Sequence, residues 1–363
     1  AWTFMVLLAL TAACMAPASA VDVQWSLTPG GATGDGDDLG TAVSAIETAN
    51  QANAAYTGKA VINITSNQSA SVNPSPANVF QSAWHLYGGA AGTNPNNYGT
   101  VDPLGYSSVT VNGDKGGGAK AVLNGDGSHT LLKIAHVDES ISVSNLVLNG
   151  GNFTDAANTL EEAYGAGLML GVGGPGTGRA PGTITVDNVT AQNNSINITN
   201  ASKTGTGNAY GAGIFVLGVD SKAGSPDHNQ PGSDVVFRNV DLTSNSINFD
   251  NVSGPASVRG GGARIAYSKS FTYEGGTVES NTINASKIEH ASGGGLSVDG
   301  AGFAGPVTIS GVFFDRNQVT ITDPGAEDNW GVERGGGFYS YVRPDPATPN
   351  QVLDISFGKN GNT

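Results

Sequence analysis

The amino-acid sequence predicts an all-β fold, a right-handed parallel β-helix (solenoid) with a short N-terminal capping helix. Two observations support this prediction: an excess of glycine, and five imperfect repeats that pair an alternating strand with a cluster of small residues. Glycine supplies 54 of the 363 residues, and charged residues are only 13% of the chain. Because glycine weakens helices and permits left-handed turns, this composition favours a chain that turns often and at regular places.

Each repeat begins with a strand in which apolar and polar residues alternate up to a turn residue at the fifth position. The five copies are Ile141-Ser142-Val143-Ser144-Asn145, Ile184-Thr185-Val186-Asp187-Asn188, Val235-Val236-Phe237-Arg238-Asn239, Phe271-Thr272-Tyr273-Glu274-Gly275 and Val307-Thr308-Ile309-Ser310-Gly311. The fifth residue is always Asn or Gly, and both tolerate a left-handed backbone. Six residues later comes a second asparagine in four copies, and a glycine in the first: Asn194, Asn245, Asn281, Asn317 and Gly151.

Each repeat ends with three small residues and a further apolar strand. These small-residue clusters are residues 165–167, 211–213, 260–262, 293–295 and 335–337. Equivalent asparagines are 51 residues apart from Asn194 to Asn245, and 36 residues apart in the next two intervals. A fixed minimum period with insertions is typical of stacked repeats whose loops leave the packed body.

Stacked coils explain this pattern better than a propeller or a sandwich. The hairpin-type pairs Asn149-Gly150 and Asp299-Gly300 do not recur at one position of the repeat, as the blades of a propeller require. In a parallel β-helix, residues such as Ile184 and Val186 point inward, and the turn asparagines form ladders from coil to coil. At roughly 20–25 residues and about 4.8 Å per coil, the rod is on the order of 70 Å long. Each 36-residue unit is then expected to form two short coils.

The chain is predicted to divide into a signal peptide (residues 1–20), an N-terminal cap with the first coils (21–120), and the β-helix repeats (121–363), which are expected to continue past the C-terminus. A short apolar run at residues 4–10 and the Ala18-Ser19-Ala20 site indicate export. Cys14 follows a segment that loosely resembles a lipobox, so acylation is an alternative.

Within the cap, residues 39–52 are predicted to form an amphipathic helix that covers the end of the first coil. The first strand is predicted at Lys59–Ile64. Residues 65–110 are rich in Ser, Asn, Pro and Gly, and we expect an irregular elaboration of the cap there.

Charge and cysteine content narrow the function. A net charge of -14 argues against nucleic acid or an anionic membrane surface as a partner. Since Cys14 is the single cysteine and lies in the predicted signal peptide, the mature chain has no disulfide and no thiolate metal site.

The repeat resembles those of polymorphic outer-membrane proteins and autotransporter passengers, which carry FxxN and GGA(I/L/V) motifs on a right-handed β-helix. The resemblance covers residues 120–363 and rests on the segments ending in Asn245, Asn281 and Asn317, together with the glycine clusters. Phe314-Asp315-Arg316-Asn317 matches FxxN in full, and the other copies match it in part. The resemblance implies a passenger exported to the bacterial cell surface, outer membrane or medium. It also implies adhesion to a host or matrix protein or glycan, and a C-terminal translocating β-barrel that this sequence does not contain.

An enzyme that degrades polysaccharides is the competing hypothesis. Residues 31–38 resemble the GAxGDGxxDD segment of pectate-lyase-like and glycosidase β-helices. A glycosidase needs two carboxylates about 5–10 Å apart, but the acidic pairs Glu161-Glu162, Asp37-Asp38 and Glu327-Asp328 lie in predicted loops or in the cap. The candidate bases of a lyase, which stand at different offsets in their repeats, are Arg238, Arg259, Arg264, Arg316 and Arg334.

No catalytic, cofactor-binding or metal-ligating residue is assigned from the sequence. The histidines are scattered without the spacing of a zinc site: His85, His129, His136, His228 and His290. Asp35, Asp37 and Gly40 imitate part of a calcium loop, but Leu39 occupies a ligand position, so structural calcium stays an open alternative. If the chain is a binding module, its surface is predicted in the insertions at residues 153–164, 199–209, 221–232 and 323–333.

Overall fold

The computed structural model is all-β, and no helix occurs among the residues that it describes. These residues are 23–27, 59–69, 82–87, 108–127, 130–135, 137, 139–155, 162–171, 182–199, 208–218, 232–250, 256–286, 288, 290–301, 305–322 and 332–343. The signal peptide and the helix predicted at residues 39–52 lie outside them. The described part contains no helix long and apolar enough to span a membrane.

The strands of the first half of the chain are β1 (Val23–Leu27), β2 (Lys59–Ile64), β3 (Gln68–Ser69), β4 (Ser82–Tyr87), β5 (Ser108–Asn112), β6 (Ala121–Asn124), β7 (Thr130–Ala135), β8 (Ser140–Ser144), β9 (Leu146–Asn149), β10 (Asn152–Asp155), β11 (Glu162–Tyr164), β12 (Leu168–Leu170), β13 (Thr183–Asp187), β14 (Thr190–Gln192) and β15 (Ser195–Thr199). Those of the second half are β16 (Asn208–Tyr210), β17 (Ile214–Leu217), β18 (Asp234–Thr243), β19 (Ser246–Asp250), β20 (Ser257–Arg259), β21 (Ala263–Ala266), β22 (Ser270–Glu279), β23 (Thr282–Ser286), β24 (His290–Ser292), β25 (Leu296–Ala301), β26 (Val307–Ser310), β27 (Phe313–Asp315), β28 (Gln318–Thr322), β29 (Val332–Arg334) and β30 (Phe338–Arg343).

The strands form four parallel sheets, which we number in the order that a repeat visits them. Sheet 1 has 13 strands and contains the alternating segments, sheet 2 is β10-β15-β19-β23-β28, sheet 3 is β11-β16-β20-β24-β29, and sheet 4 is β30-β25-β21-β17-β12-β7-β4. Every strand of a repeat pairs with its counterpart in the next repeat. For example, Ile184 lies opposite Ile141 on one side and Val235 on the other.

The 36-residue unit therefore passes once through each of the four sheets, and the expectation of two short coils per unit is wrong. Phe271 pairs with Val307 in sheet 1, and Leu296 pairs with Phe338 in sheet 4. Sheet 1 stacks eight equivalent strands from β1 to β26. At about 4.8 Å per strand, this stack measures about 34 Å, roughly half the predicted length.

The turn at the fifth position of the repeat behaves as predicted. Asn145, Asn188 and Asn239 have φ values of 55°, 52° and 48°, and Gly275 and Gly311 adopt the same left-handed region. Only residues that tolerate this conformation fit there without strain. The asparagine or glycine at this position thus marks where the chain bends between the two parts of sheet 1.

The second asparagine of the repeat has a different role from a turn residue. Positive φ occurs one position earlier, at residues such as Asn193, Ser244 and Ser280. Asn194, Asn245 and Asn281 are completely buried. Their side chains form a ladder with Asn317 in which each Nδ2 donates to the Oδ1 of the next, at 2.9 Å in all three steps. The ladder itself was predicted, and its position inside the protein was not.

Ladder and glycine clusters meet inside the molecule and separate two apolar cores. A Cβ on Gly213 would lie 2.9 Å from the side-chain carbon of Asn245, and one on Gly262 would lie 3.0 Å from that of Asn281. One core lies between sheets 1 and 4, and the second lies between sheets 2 and 3. The two half-motifs of the repeat therefore occur together because the glycine leaves room for the asparagine of the next repeat.

The N-terminal region is more regular than its composition indicates. A strand at Lys59–Ile64 is confirmed, with Ile62 and Ile64 fully buried, but it is not the first, because β1 precedes it and pairs with it. Within residues 65–110, where we expected an irregular elaboration, the chain forms β3, β4 and the start of β5. Strands β2 and β5 pair in register with each other, and β5 pairs with β8, so sheet 1 extends into this region.

Candidate binding site

The glycine clusters form a corner where the outer faces of sheets 3 and 4 converge. Tyr210 precedes one cluster and Phe215 follows it, and both side chains point away from the two apolar cores. Their ring centroids are 6.2 Å apart, so the outer faces of the two sheets meet at the turn, and both rings belong to a buried apolar cluster with Met169. We call this region the arginine corner and define it by Tyr164, Tyr210, Phe215, Arg259, Arg264, Ser292, Ser297 and Asp299.

Aromatic rings occupy the first part of the corner. The ring of Tyr164 stacks on Phe215 with a centroid distance of 4.7 Å, and it lies 5.7 Å from Tyr210. Tyr164 and Tyr210 are neighbours in register across sheet 3. Phe215 is 1% exposed, whereas Tyr164 is half-buried. Tyr164 therefore forms the accessible edge of the aromatic part.

Charged groups occupy the adjacent part, and they come from two repeats. Arg264 donates from Nε to Oδ1 of Asp299 at 2.8 Å and from Nη2 to Oδ2 at 3.1 Å. Arg259 donates from Nη1 to the same Oδ2. Asp299 is fully buried, and the side chain of Arg259 is 22% exposed. Two guanidinium groups thus share one carboxylate.

Arg264 also joins the charged part to the aromatic part. Its Cζ lies 3.6 Å from the ring centroid of Tyr210 and 5.9 Å from that of Phe215, within the range of a cation-π interaction. Burial lowers the pKa of Arg264, and the nearby Arg259 lowers it further, while Tyr210 and Tyr267 oppose this. A guanidinium stays protonated in proteins even so. Among the side chains that the structure describes, the corner therefore has two positive charges beside one negative charge.

Three buried polar atoms of the corner have no hydrogen-bond partner: Arg259 Nε, Ser292 Oγ and Ser297 Oγ. Ser292 is the neighbour of Arg259 in register, and Ser297 is the neighbour of Arg264. Buried polar groups are nearly always paired in folded proteins. The charged part of the corner is thus equipped with more donors than its own residues use.

The outer face of sheet 4 continues from the corner toward the N-terminus. Lys133, Met169, Phe215 and Arg264 occupy successive positions of one row. Lys133 is 2% exposed, and burial lowers its pKa to about 7. The row therefore places an amine that exchanges its proton near neutral pH on the same face as the corner.

Of the five arginines considered as bases, the structure brings Arg259 and Arg264 together and leaves two elsewhere. Arg238 pairs with Glu274 at 3.5 Å on the outer face of sheet 1, and Arg316 pairs with Glu279 and Asp315. The fifth, Arg334, is in register with Ser292.

The sequence analysis placed the five arginines at different offsets in their repeats, but two of them share one position. Arg259 and Arg334 both stand immediately before a glycine cluster, as do Tyr164, Tyr210 and Ser292. This shared position is the signal that could have revealed the corner. Asp299 was considered only as part of a hairpin-type pair, and its role as the partner of two arginines was missed.

The other candidate residues do not form a site in the described part of the chain. Asp37-Asp38, Glu161 and Glu327-Asp328 lie outside it, as do His129, His136 and His228. Among the described residues, no group of three or more His, Cys, Asp and Glu side chains is placed to hold a metal ion. His290 lies in sheet 3, next in register to Ser257.

The predicted binding insertions border the corner in the chain order. Only their ends are described, including β11 and the start of β16, and residues 156–161, 200–207, 219–231 and 323–331 lie outside the described residues. These segments lead into strands of sheet 3 or leave strands of sheet 4. No family model, curated protein or solved structure matches this chain.

Proposed function

We propose that this chain is a secreted or surface-displayed passenger that folds as a right-handed parallel β-helix and acts in adhesion by binding a host or matrix glycan at the arginine corner. The observation that carries the proposal is the packing of three aromatic rings against two arginines where the outer faces of sheets 3 and 4 meet, with Tyr164 and Arg259 partly exposed. Aromatic faces with a few polar groups beside them are typical of ligand sites.

The repeat geometry supports the β-helix part of this proposal. Equivalent strands of successive repeats pair in parallel and in register in all four sheets. A chain that visits four sheets in a fixed order and returns to the first one repeat later winds as a solenoid. Insertions between the strands then leave the stacked body unchanged and are free to shape a binding surface.

The chemistry of the corner supports binding over glycoside hydrolysis. Asp299 is fully buried and already accepts hydrogen bonds from two arginines. A glycosidase instead needs a pair of carboxylates, one of which is free to donate a proton. Tyr164 and Arg259 stand at the same position of sheet 3 two repeats apart, and both are partly exposed, so a glycan would meet the corner along this edge.

The test is a glycan-binding measurement on the purified chain and two aromatic variants. Tyr164→Ala removes the ring at the accessible edge of the corner, and we expect affinity to fall about tenfold. Phe313→Ala is the matched control, because Phe313 is 42% exposed on sheet 1, away from the corner. Equal binding by all three proteins would place the glycan elsewhere and contradict the proposal.

Display is tested separately on intact cells that express the full gene. Protease added outside should digest the chain if it is exposed at the surface. Protection until the cells are lysed would contradict display, irrespective of what the corner binds.

A lyase that cleaves an acidic polysaccharide is the second candidate, and Lys133 is the observation that favours it. Burial lowers the pKa of this lysine to about 7, a value that suits a general base, and catalysis would require the substrate to reach a side chain that is 2% exposed. It lies three strands from Arg264, about 14 Å at the usual spacing, so the two would act on different sugars of one chain. Cleavage of pectin or alginate, detected by the ultraviolet absorbance of unsaturated products and lost in Lys133→Gln, would favour this candidate over adhesion.

A further inference from the structure

We infer that the arginine corner is an anion site, and that the glycan bound there carries a carboxylate or sulfate group on the sugar that reaches Arg259 and Arg264. The inference rests on the proposed function and specifies the chemical class of its ligand. The charges within the corner are its first support. Arg259 and Arg264 bring two positive charges against the single negative charge of Asp299. One carboxylate shared by two guanidinium groups leaves a net positive charge among these three side chains, which attracts an added anion.

The unused donors are the second, independent support. Arg259 Nε, Ser292 Oγ and Ser297 Oγ are buried and lack hydrogen-bond partners. Ser292 is 2% exposed and Ser297 is fully buried. The two serines follow the two arginines in register, on opposite sides of the same glycine turn. Carboxylate and sulfate oxygens accept hydrogen bonds from guanidinium and hydroxyl groups, and such charge-assisted bonds are strong.

The aromatic residues beside the arginines favour an anionic sugar over a free inorganic ion. Tyr210 lies against the Arg264 guanidinium at 3.6 Å, Phe215 packs behind it, and Tyr164 is the ring that is partly exposed. An anionic sugar can place its acidic group near the arginines and its apolar face toward the edge formed by Tyr164. The overall net charge of -14 makes this positive corner a local exception, which favours acidic ligands there and repels them elsewhere.

The first experiment tests the anion site without a glycan. Sodium sulfate should raise the thermal midpoint of the protein more than sodium chloride at equal ionic strength, and Arg259→Gln should reduce this difference to the general effect that sulfate has on folded proteins. Arg259 is suited to this change because Arg264 remains as the partner of Asp299. Arg238→Gln, at an exposed arginine of sheet 1, is the control and should keep the response. An equal response of all three proteins would overturn the inference.

The second experiment compares matched oligosaccharides. Oligogalacturonate is measured against its methyl ester, and a sulfated oligosaccharide against its desulfated form. We expect removal of the acidic group to lower affinity about tenfold or more, and Arg259→Gln to abolish the preference. The preferred member of the two acidic compounds identifies carboxylate or sulfate as the natural group.

The two experiments separate the possible failures. If glycans bind at the corner with no preference for acidic forms, the inference is wrong and the proposed function stands. If sulfate stabilises the protein through Arg259 and no glycan binds, the anion site stands and glycan adhesion is wrong. If sulfate has no specific effect and no glycan binds, both are wrong.

Discussion

Lys133 is buried on the outer face of sheet 4, and burial lowers its pKa from 10.5 to about 7. Between these two values the unfolded chain binds more protons than the folded chain, so this residue makes the folded state more stable as the pH rises from about 7 to about 10.5. We expect Lys133→Met to stabilise the protein at pH 7 by roughly 2–4 kcal/mol and to flatten the pH dependence above it. Denaturant unfolding at about pH 7 and about pH 9.5 measures both effects.

The control for this prediction is Lys115→Met, which changes an exposed lysine that donates to Asn67. This variant should leave the pH dependence of the parent protein unchanged. A Lys133→Met protein that is less stable than the parent at pH 7 would contradict the prediction, since it would mean that the ammonium makes favourable contacts that outweigh its burial.

Single residues of the corner could be predicted only in part. Arg259 and Arg264 were recognised as chemically interesting, but their meeting at Asp299 depends on the sharp glycine turn and on the next repeat. Neither is visible in local sequence spacing. What the sequence does contain is the fixed position before each glycine cluster, filled by Tyr164, Tyr210 and Arg259 in successive repeats.

At the scale of secondary-structure elements, the asparagine ladder is expected to contribute strongly to stability. Asn245 donates from Nδ2 to Ala191 O at 2.8 Å and to Asn281 Oδ1, while its own Oδ1 accepts from both nitrogens of Asn194. Asn245→Ala leaves these buried groups without partners, each at a cost of about 1–3 kcal/mol. We therefore expect a loss of about 3 kcal/mol or more, measured as the free energy of unfolding in denaturant.

Asn248→Ala is the matched control for the ladder. Asn248 lies three residues further on, in β19, and its side chain also bonds to asparagines above and below, Asn197 and Asn284. It is only partly buried, so water can replace the lost bonds and the cost should stay below about 1 kcal/mol. If Asn245→Ala and Asn248→Ala lost similar amounts of unfolding free energy, burial would not explain the contribution of the Asn245 ladder, and the prediction would be wrong.

The strands and turns of sheet 1 could be predicted because their signals are local. The alternation of apolar and polar residues identifies the buried face of a strand, as with Ile184 and Val186. An asparagine or glycine after the strand identifies the left-handed turn. Sheet 3 has strands of only three residues, such as His290–Ser292, which are too short to show a period. Because these strands were not recognised, the 36-residue unit was divided into two coils when it is one passage through four sheets.

At the scale of the whole molecule, the division of the core explains where function can reside. Ladder asparagines lie against the glycine turns from inside, so closely that a Cβ at Gly213 or Gly262 would clash with them. The outer faces of sheets 3 and 4 meet at the same turns, and there Arg259 and Arg264 bind Asp299. A scaffold feature with no chemistry of its own thus produces the position at which side chains from successive repeats are concentrated.

The repeat geometry makes a prediction about deletions. Removing residues 271–306 joins Ser270 to Val307, which is the residue that pairs with Phe271. Asn317 then replaces Asn281 as the partner of Asn245, because these asparagines are 36 residues apart. Since each repeat contacts its neighbours alone, we expect the shortened chain to fold with the same β-sheet circular dichroism and a lower thermal midpoint.

Removing residues 271–288, roughly half of the unit, instead brings sheet 3 sequence into the place of a sheet 1 strand. The deletion of residues 271–288 should abolish cooperative unfolding. If the unit consisted of two equivalent coils, this deletion would be tolerated at least as well as the deletion of residues 271–306. A folded half-unit deletion beside an unfolded full-unit deletion would therefore contradict the one-repeat, four-sheet arrangement.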